Sequence, residues 1–573
     1  MKKLILLTLS ALACSFGAYS QISYGGTPPS FKYSNKLRSA DHLYTVDTKD
    51  INVERLIWED SISSRNGSPL RLATIIPVDV DMYKTGEWTT LPDDSRIWQQ
   101  TISVPGARGI IPGYKDLYIP EGGRLFIYNK DRSQLLGAYT HETNPGGGKF
   151  SNEIVSGDEI TFEYVDSNSS TEQPRLVIED VGYVYRMVTY STEESAPNPA
   201  NRIGKAAKCI ININCEEGDS WRNQQRGVVR IAMKFPNNWS YCSGTLVNNT
   251  NNDGTPYILT ANHCFFVELP TSPNTIKYQA DFHTAHFYFN FEHPSCSNTN
   301  TVPSTMRSLV GSDFMTQTML HGGSDGLLLK LKETVPLDWR PYYNGWDVNA
   351  NQAASGVAIQ HPQGDVKKIA TYTMKPLSIT CTIDNNYGSL LTGAKNAHWE
   401  IINAPSINGH SVTDGGSSGC PLFNSQGLII GTLSGGASFC STPNNPDNYG
   451  KMWYHWDRDS DPARRMKPFL DPTNSGALSL QGYDPNGGHS IDNPREIIKI
   501  VMFPNPAQEE FNINTRYIIN FIKVTDMSGR IVFETKDLKS STAVVPVSAL
   551  PNGIYNVLVE TEEGVFSDKI IKN

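Results

Sequence analysis

Three short stretches carry the residue types of a hydroxyl-nucleophile site. Residues 414 to 423 read DGGSSGCPLF, residues 257 to 264 read YILTANHC, and residues 323 to 331 read GSDGLLLKL. A serine hydroxyl attacks a carbonyl only when a base takes its proton, and the base works best when a carboxylate fixes its tautomer. His263, at the end of an apolar strand-like run and directly before a cysteine, is the candidate base. Asp325, immediately ahead of a second apolar run, is a carboxylate that can be buried beneath the imidazole. The glycines choose between the two serines. An oxyanion hole needs two backbone N–H groups aimed at one point, in conformations that glycine reaches without steric cost. Ser418 has Gly416 two residues before it and Gly419 one after. Ser418 is therefore the expected nucleophile, and the N–H groups of Gly416 and Ser418 the expected oxyanion donors. The chemistry is acyl transfer through a covalent intermediate, with no metal or other cofactor.

The elements that must hold these residues are β-type. The chain of 573 residues has room for roughly three to five domains at ~100–200 residues each. It opens MKKLILLTLSALACSFGAYSQ, a charged start, an apolar run and small residues before Gln21, which reads as a secretory signal peptide over 1–20. Cys14 in ALAC is a weaker alternative as a lipoprotein acceptor, with Ala11 where such sites usually have Leu. No later stretch approaches the ~20 apolar residues of a membrane span. Of nine cysteines, Cys14 falls in the leader, and the other eight (Cys209, Cys215, Cys242, Cys264, Cys296, Cys381, Cys420 and Cys440) crowd into one block. An even number in an exported chain favours disulfides. A net charge of −9 with scattered Lys and Arg gives no basic stripe for nucleic acid.

Residues 21–203 alternate short runs such as RLFIYNK and EITFEYV with turns such as PEGG and NPGGGK, an all-β pattern. The cysteine-rich block spans 204–470, a linker is expected over 471–498, and 499–573 alternates again as a small β-sandwich. The fold class is mainly β. The order His263, Asp325, Ser418 is that of the chymotrypsin-type double β-barrel proteases.

Residues 204 to about 460 resemble the lysyl endopeptidases, a bacterial branch of the trypsin-like serine proteases. The pieces that carry the resemblance are CIININCEEGD, CSGTLVNNTNNDGTPYILTANHC, GGSDGLLLKL, NGWDVN, IQHPQGDVKKI, VTDGGSSGCPLF, GTLSGGASFC and DNYGKM, in that order. The resemblance implies a secreted endopeptidase acting on polypeptides after Lys. It also implies bridges Cys242 to Cys264, Cys209 to Cys440 and Cys215 to Cys296. Cys381 and Cys420 have no counterpart in it, and parity suggests that they pair with each other. A pocket for a basic side chain needs a buried carboxylate, since an unpaired cation there is costly. Six residues before the nucleophile, where trypsin has Asp, this chain has Val412. The resemblance assigns the role to Asp447 in DNYGKM, with Asp414 a weaker candidate. Lysine-specific members carry His where this chain has Ser434 in GTLSGG, so the preference for Lys over Arg stays open.

The flanks resemble known companions of such proteases. GEWTTLPDDSRIWQQTISVPGA and LYIPEGGRLFIYN look like the β-rich propeptide that assists folding and delays activity. Maturation is expected near NRIGKAAKC, after Arg202, Lys205 or Lys208, giving a monomer. FPNPAQEEFNI, DMSGRIVFE and LPNGIYNVLVETEEGVFSDKII are similar to the sorting domains of the type IX secretion system. That implies export through its machinery, to a shed or surface-attached form. Two other readings compete. His283, His286 and His293 are spaced like metal ligands, but they lie in an aromatic strand-like run without a supporting Glu or Cys pattern. His361 in QHPQGD reads as structural. A surface binding module on an inactive protease fold is the alternative function, and it would be expected to lack one of His263, Asp325 and Ser418.

Overall fold

The computed structural model describes residues 25–33, 43–63, 69–166, 170–186, 206–269, 275–297, 306–350, 354–385, 389–487, 501–526, 529–561 and 564–573. The expected signal peptide and the candidate cut sites at Arg202 and Lys205 lie outside them, and Lys208 is exposed. The chain divides into two compact units, 1–489 and 490–573. Each is described by itself.

The first unit begins with two sheets around one core. One contains Arg96–Ser103, Arg124–Asn129 and Glu159–Val165; the other contains Leu70–Asp81, Gly109–Tyr118 and Arg175–Val184. Alternation along these strands sends Trp98, Ile102, Tyr114, Leu125, Ile127, Phe162 and Ile178 into the shared interior. The expected turns sit where the pattern placed them. Gly122 of PEGG and Gly147 of NPGGGK both adopt the left-handed backbone region that glycine reaches freely.

Two barrels follow. In the first, Asp281–Phe289 pairs with Val228–Lys234, which pairs with Asn238–Val247, then Tyr257–Ala261, then Gly326–Leu331, then Ser312–Thr318. Arg307–Val310, joined to Ser312–Thr318 through Gly311, pairs back on Asp281–Phe289 and closes the ring. Its interior holds Ile231, Leu246, Ile258, Phe287, Leu327 and Leu329. The second is a sheet in the order Ile211–Asn212, Lys368–Tyr372, Gly356–Gln360, Pro421–Asn424, Ile429–Gly436, Asp447–Lys451, His398–Ile401 and Leu377–Ile379. Tyr372, Trp399, Leu422 and Tyr449 fill it. The architecture is mainly β, with the double-barrel arrangement expected from the motif order.

Two features depart from the expected domain layout. The Leu70–Asp81 strand of the N-terminal block pairs antiparallel with Asn238–Val247, so one sheet runs through both blocks. Residues 471–487, expected within a linker, instead belong to the cysteine-rich block. Ser479–Leu480 pairs with Trp346–Asp347, Tyr483 bridges to Tyr343, and Arg226 holds Asp484 at 2.6 Å. Short side chains and a Gly-Pro-rich composition look like a linker, but backbone pairing and one ion pair are enough to bind such a segment.

The three bridges implied by the resemblance are present: Cys209 to Cys440, Cys215 to Cys296 and Cys242 to Cys264. The expected pairing of Cys381 with Cys420 is not, and both are buried free thiols. Cys420 belongs to the core of the second barrel with Tyr449, whereas Cys381 lies just before the Thr382–Asn385 hairpin strand and feels the charges of Asp325 and Glu400. Parity counts thiols but not their surroundings. Burial pushes the Cys381 thiol up to about 12, which keeps it protonated and inert.

The second unit is a five-stranded sheet with Glu510–Asp526 and Ile531–Pro546 as its longest strands. The register breaks between Asn514 and Ile519, and Phe511, Ile513, Ile522, Val545 and Val557 are fully buried. Residues from both ends of the long strands share this one buried cluster.

The thiol assignment is checked by alkylation. Unfolded but unreduced protein lacking residues 1–20 should be labelled at Cys381 and Cys420 only; protection of both would restore a fourth bridge.

Candidate active site

His263 and Asp325 are brought together by strand register. Tyr257–Ala261 pairs with Gly326–Leu331, with Ala261 opposite Gly326, so the residues just beyond these partners meet. The chain then tightens into a 3-10 turn over Asn262–Cys264. Asp325 is fully buried and has φ of +60°, an uncommon conformation for a non-glycine residue. Its contacts explain how it is held there. Its carboxylate accepts the His263 backbone N–H at 2.9 Å and faces His263 Nδ1 at 2.7 Å, while its carbonyl accepts the Asn262 N–H at 3.0 Å. One residue thus fixes both the ring and the backbone of its neighbour, leaving Nε2 without a partner among the described residues. The disulfide from Cys264 to Cys242 pins the far side of the turn. That bond also disposes of the cluster Cys242, His263 and Cys264 as a metal site, because both sulfurs are already bonded to each other.

A second buried carboxylate, unnoticed in the sequence, braces the same turn. Glu268 accepts Asn262 Nδ2 at 2.9 Å and the N–H groups of Leu320 and His321 at 2.7 and 3.0 Å. The Leu320 turn in turn supports Asp325, whose N–H donates to Met319 O. Only the apolar run around Glu268 hinted at it: a lone acid after ANHCFFV is out of place on an exposed strand.

Ser418 approaches from the second barrel and is clamped to the first. Its carbonyl accepts the Ser243 N–H at 2.8 Å, and Ser243 Oγ donates to Gly416 O at 2.9 Å. Gly419 has φ of +77°, and a Cβ there would stand 2.1 Å from Thr260 Oγ1. Gly416 has φ of +93°, and its Cβ would meet His361 O at 2.9 Å. Both glycines are therefore required by close approach as well as by backbone conformation. Among the described residues, the N–H groups of Gly416 and Ser418 donate to no protein acceptor, as donors reserved for an external oxygen would. Ser417 is fully buried and occupied within its own turn, bonding Asp414 through both its N–H and its Oγ. Ser418 Oγ and His263 Nε2 are not joined by a hydrogen bond here; such bonds often tighten only when substrate binds.

Asp447 opens a strand, Asp447–Lys451, that lies between Ile429–Gly436 and His398–Ile401. Its side chain is fully buried and receives Asn403 Nδ2 and Ser438 Oγ, each at 2.7 Å. Among the described residues no Lys or Arg approaches it within ion-pair distance. Burial pushes its carboxyl up to about 6, against the pull of those hydrogen bonds. Gly436 is a further requirement, since a Cβ there would overlap Asp447 Oδ1 at 1.8 Å. Ser438 also receives the Thr413 N–H at 3.2 Å, which ties this carboxylate to the segment leading into Ser418. Ser434 sits at an irregularity of register between Leu433 and Gly435, with a buried hydroxyl that has no partner among the described residues. Val412 is buried in an apolar cluster with Ala206 and Ile210. Asp414 is largely buried and bonds Gln363 Nε2 at 2.8 Å, a wall contact of the nucleophile loop. His286 lies 5.7 Å from the Trp239 ring and 5.9 Å from that of Tyr288, a packing role, while His361 Nδ1 caps Asp365 O.

The chain is similar in sequence to known proteins. Residues 203–450 match the family model of the lysyl endopeptidase C-terminal domain, and residues 501–573 that of the secretion system C-terminal sorting domain. A lysyl endopeptidase from Pseudomonas aeruginosa is 25% identical over 410 residues, covering 68% of this chain and 79% of that protein. Among solved structures, protease Anisep from Arthrobacter nicotinovorans is 17% identical, with a TM-score of 0.26, over 40% of this chain and 91% of that one. Neuropsin, a serine protease of mouse brain, is 15% identical, with a TM-score of 0.25, over 42% and 94%. The chain is a serine protease. Residues 203–450 are similar to the lysyl endopeptidase C-terminal domain, and the sorting tail makes the chain a secreted or cell-surface-attached protein of the type IX route.

Two outcomes test the packing of the site. Gly419→Ala should abolish activity and lower the melting temperature, because backbone strain alone costs ~1–3 kcal/mol before the clash with Thr260 is counted. Asp447 binds its proton more tightly in the folded protein, near 6, than in the unfolded chain, near ~3.9. Its contribution to stability is therefore full below ~4 and is lost as pH rises toward 6. Asp447→Asn should flatten that part of the melting-temperature profile; an unchanged profile would mean that the carboxyl titrates normally.

Proposed function

We propose that this protease hydrolyses polypeptides on the carboxyl side of lysine. The observation that carries the reading is Asp447, a fully buried carboxylate with hydrogen bonds but, among the described residues, no cation of its own. Leaving such a charge unpaired is costly, and an ammonium group from substrate relieves the cost. Asn403 Nδ2 and Ser438 Oγ occupy one oxygen, Oδ2, and the Ser438 N–H reaches the other, Oδ1, at 3.3 Å. What remains suits the point charge of Lys better than a guanidinium that seeks both oxygens. Ser434 is the second specificity residue, offering a buried hydroxyl with no partner among the described residues.

With Lys seated, Ser418 Oγ attacks the scissile carbonyl as His263 Nε2 takes its proton. Asp325, 2.7 Å from Nδ1, holds the tautomer that leaves Nε2 free to accept and stabilises the imidazolium that forms. The carbonyl oxygen becomes negative between the N–H groups of Gly416 and Ser418. His263 then returns the proton to the departing amine, leaving an acyl-enzyme on Ser418. Water, deprotonated by the same imidazole, attacks the ester and releases the acid. The N-terminal block is the propeptide, and maturation cuts after Arg202, Lys205 or Lys208.

Paired peptides differing only in Lys, Arg or a neutral residue test the proposal. Ser418→Ala should abolish cleavage. Asp447→Asn should lower kcat/KM for the Lys peptide by about 100-fold or more, the order expected when a buried charge loses its partner. KM for that peptide should rise as pH falls through about 6, where Asp447 takes up a proton. Equal cleavage after neutral residues, or activity that a chelator removes while Ser418→Ala leaves it intact, would contradict the reading.

A further inference from the structure

His455 is a buried histidine outside the mechanism described so far, and its ring touches the residues on either side of Asp325. It lies on the short helix Met452–Asp457, which follows the Asp447–Lys451 strand of the second barrel. Its neighbours on that helix fix its place. Met452 and Trp456 enter an apolar core with Leu259 and Leu328 of the first barrel and Phe423 and Ile429 of the second, and Trp456 packs on Trp346 with ring centroids 4.5 Å apart. The His455 carbonyl accepts the Met466 N–H at 2.9 Å. The backbone that carries the imidazole is thus packed against both barrels.

Both ring nitrogens have partners. Nδ1 lies 2.7 Å from Ser324 Oγ and 3.1 Å from Thr318 Oγ1, and Nε2 lies 3.2 Å from Thr432 Oγ1. Thr318 Oγ1 also accepts the Gly326 N–H at 2.8 Å and lies 3.1 Å from Ser324 Oγ. Asp325 is therefore flanked by two residues that answer to one ring, Ser324 through its hydroxyl and Gly326 through Thr318. A Cβ at residue 326 would stand 2.4 Å from His455 Nδ1, so only glycine lets the ring come this close. Gly450 opens the other side, where a Cβ would stand 3.0 Å from His455 Cε1 and 1.8 Å from Ser324 O. His455, Thr318, Ser324 and Thr432 are all fully buried. Burial pushes the His455 pKa down to about 3; the charge of His398 adds to the fall, and Asp325 and the Gly450 backbone oppose it. The ring is neutral near pH 7, donating at one nitrogen and accepting at the other, and hydroxyls meet either role.

A ring kept only for its bulk needs no such partners, since an apolar ring would fill the space with no polar atom to satisfy. Asp325 has more need of them. Its φ of +60° persists only where the surroundings over-determine it, and the Asn262–Cys264 turn holds it from one side. We propose that His455 is a positioning residue for Asp325. Bonded to Ser324 and Thr318 and braced on Thr432 of the second barrel, it fixes the residues before and after the carboxylate and so aims that carboxylate at His263 Nδ1. The proposal rests on the reading of Asp325 as the group that orients His263 and goes beyond it. A side chain that touches neither substrate nor reacting atom then governs the rate through the alignment of another.

The test compares variants of the full chain lacking residues 1–20, with kcat referred to the amount of processed protein. His455→Phe keeps the bulk and removes both hydrogen-bonding ends. It should lower kcat for a Lys peptide by about 10- to 100-fold, the scale of a misaligned catalytic group, with KM changed by less than about twofold. His455→Asn places an amide where Nδ1 stands, renews the bond to Ser324, and should return kcat to within about threefold of the parent. Ser324→Ala is a smaller change that leaves the apolar core filled. It should lower kcat about fivefold or more and add little to His455→Phe, because both break the same link. The far-downfield proton NMR signal of the His263 Nδ1–H bond to Asp325 gives a readout independent of turnover. That signal should move or broaden in His455→Phe and in Ser324→Ala, and return in His455→Asn. Equal kcat in the Phe and Asn variants, a loss that falls on KM alone, or an unmoved signal in Ser324→Ala would each overturn the proposal. Asp325→Asn separates the two possible failures. If it leaves kcat intact, the reading of Asp325 is at fault; if it abolishes kcat while His455→Phe and Ser324→Ala do not lower it, the positioning role is.

Discussion

Ser243 makes the contact on which the site depends. Its N–H binds the carbonyl of Ser418 and its hydroxyl binds the carbonyl of Gly416, so one residue of the first barrel sets the height of the nucleophile loop of the second. Each is a buried hydrogen bond, and leaving such a group unsatisfied costs ~1–3 kcal/mol. The same loop is pressed against Thr260 through Gly419, and Thr260 lies on the strand that delivers His263. Nucleophile and base come from sequence positions 155 apart by number, but from strands that touch.

Conformations that would be unfavourable elsewhere are concentrated here. Asp325 adopts a left-handed backbone because three hydrogen bonds from the Asn262–His263 turn hold it. Glu268 and Asp447 are carboxylates in dry surroundings, and burial raises both above the usual carboxylate range. Both are surrounded by donors, Glu268 within the turn that carries His263 and Asp447 beside the segment leading into Ser418, and among the described residues Asp447 faces no cation. Disulfides and large apolar cores compensate for these costs.

Much of this was legible in the sequence because it depends on local context. His263 and Asp325 each adjoin an apolar strand, and the glycines around Ser418 mark a backbone that must approach something closely. The bridges and Asp447 were legible only through resemblance. What escaped was non-local. Nothing near Leu70 announces a partner at Tyr241, since both strands read simply as alternating apolar runs. Asn403, Ser438 and Glu268 are polar residues whose meaning appears only when the chain folds them onto a carboxylate or an amide. Cys381 and Cys420 misled because an even count says nothing of whether two thiols meet. Residues 471–487 misled because composition resembling a linker does not prevent backbone pairing.

The central claim is that one serine reacts while one buried carboxylate holds a lysine side chain. Labelling with peptidyl phosphonates tests both at once. A reagent ending in a lysine-like side chain should bond Ser418, with its ammonium against Asp447 in the structure of the adduct, and react much faster than its neutral counterpart. Equal rates for the two reagents, or an adduct on any other residue, would contradict the account.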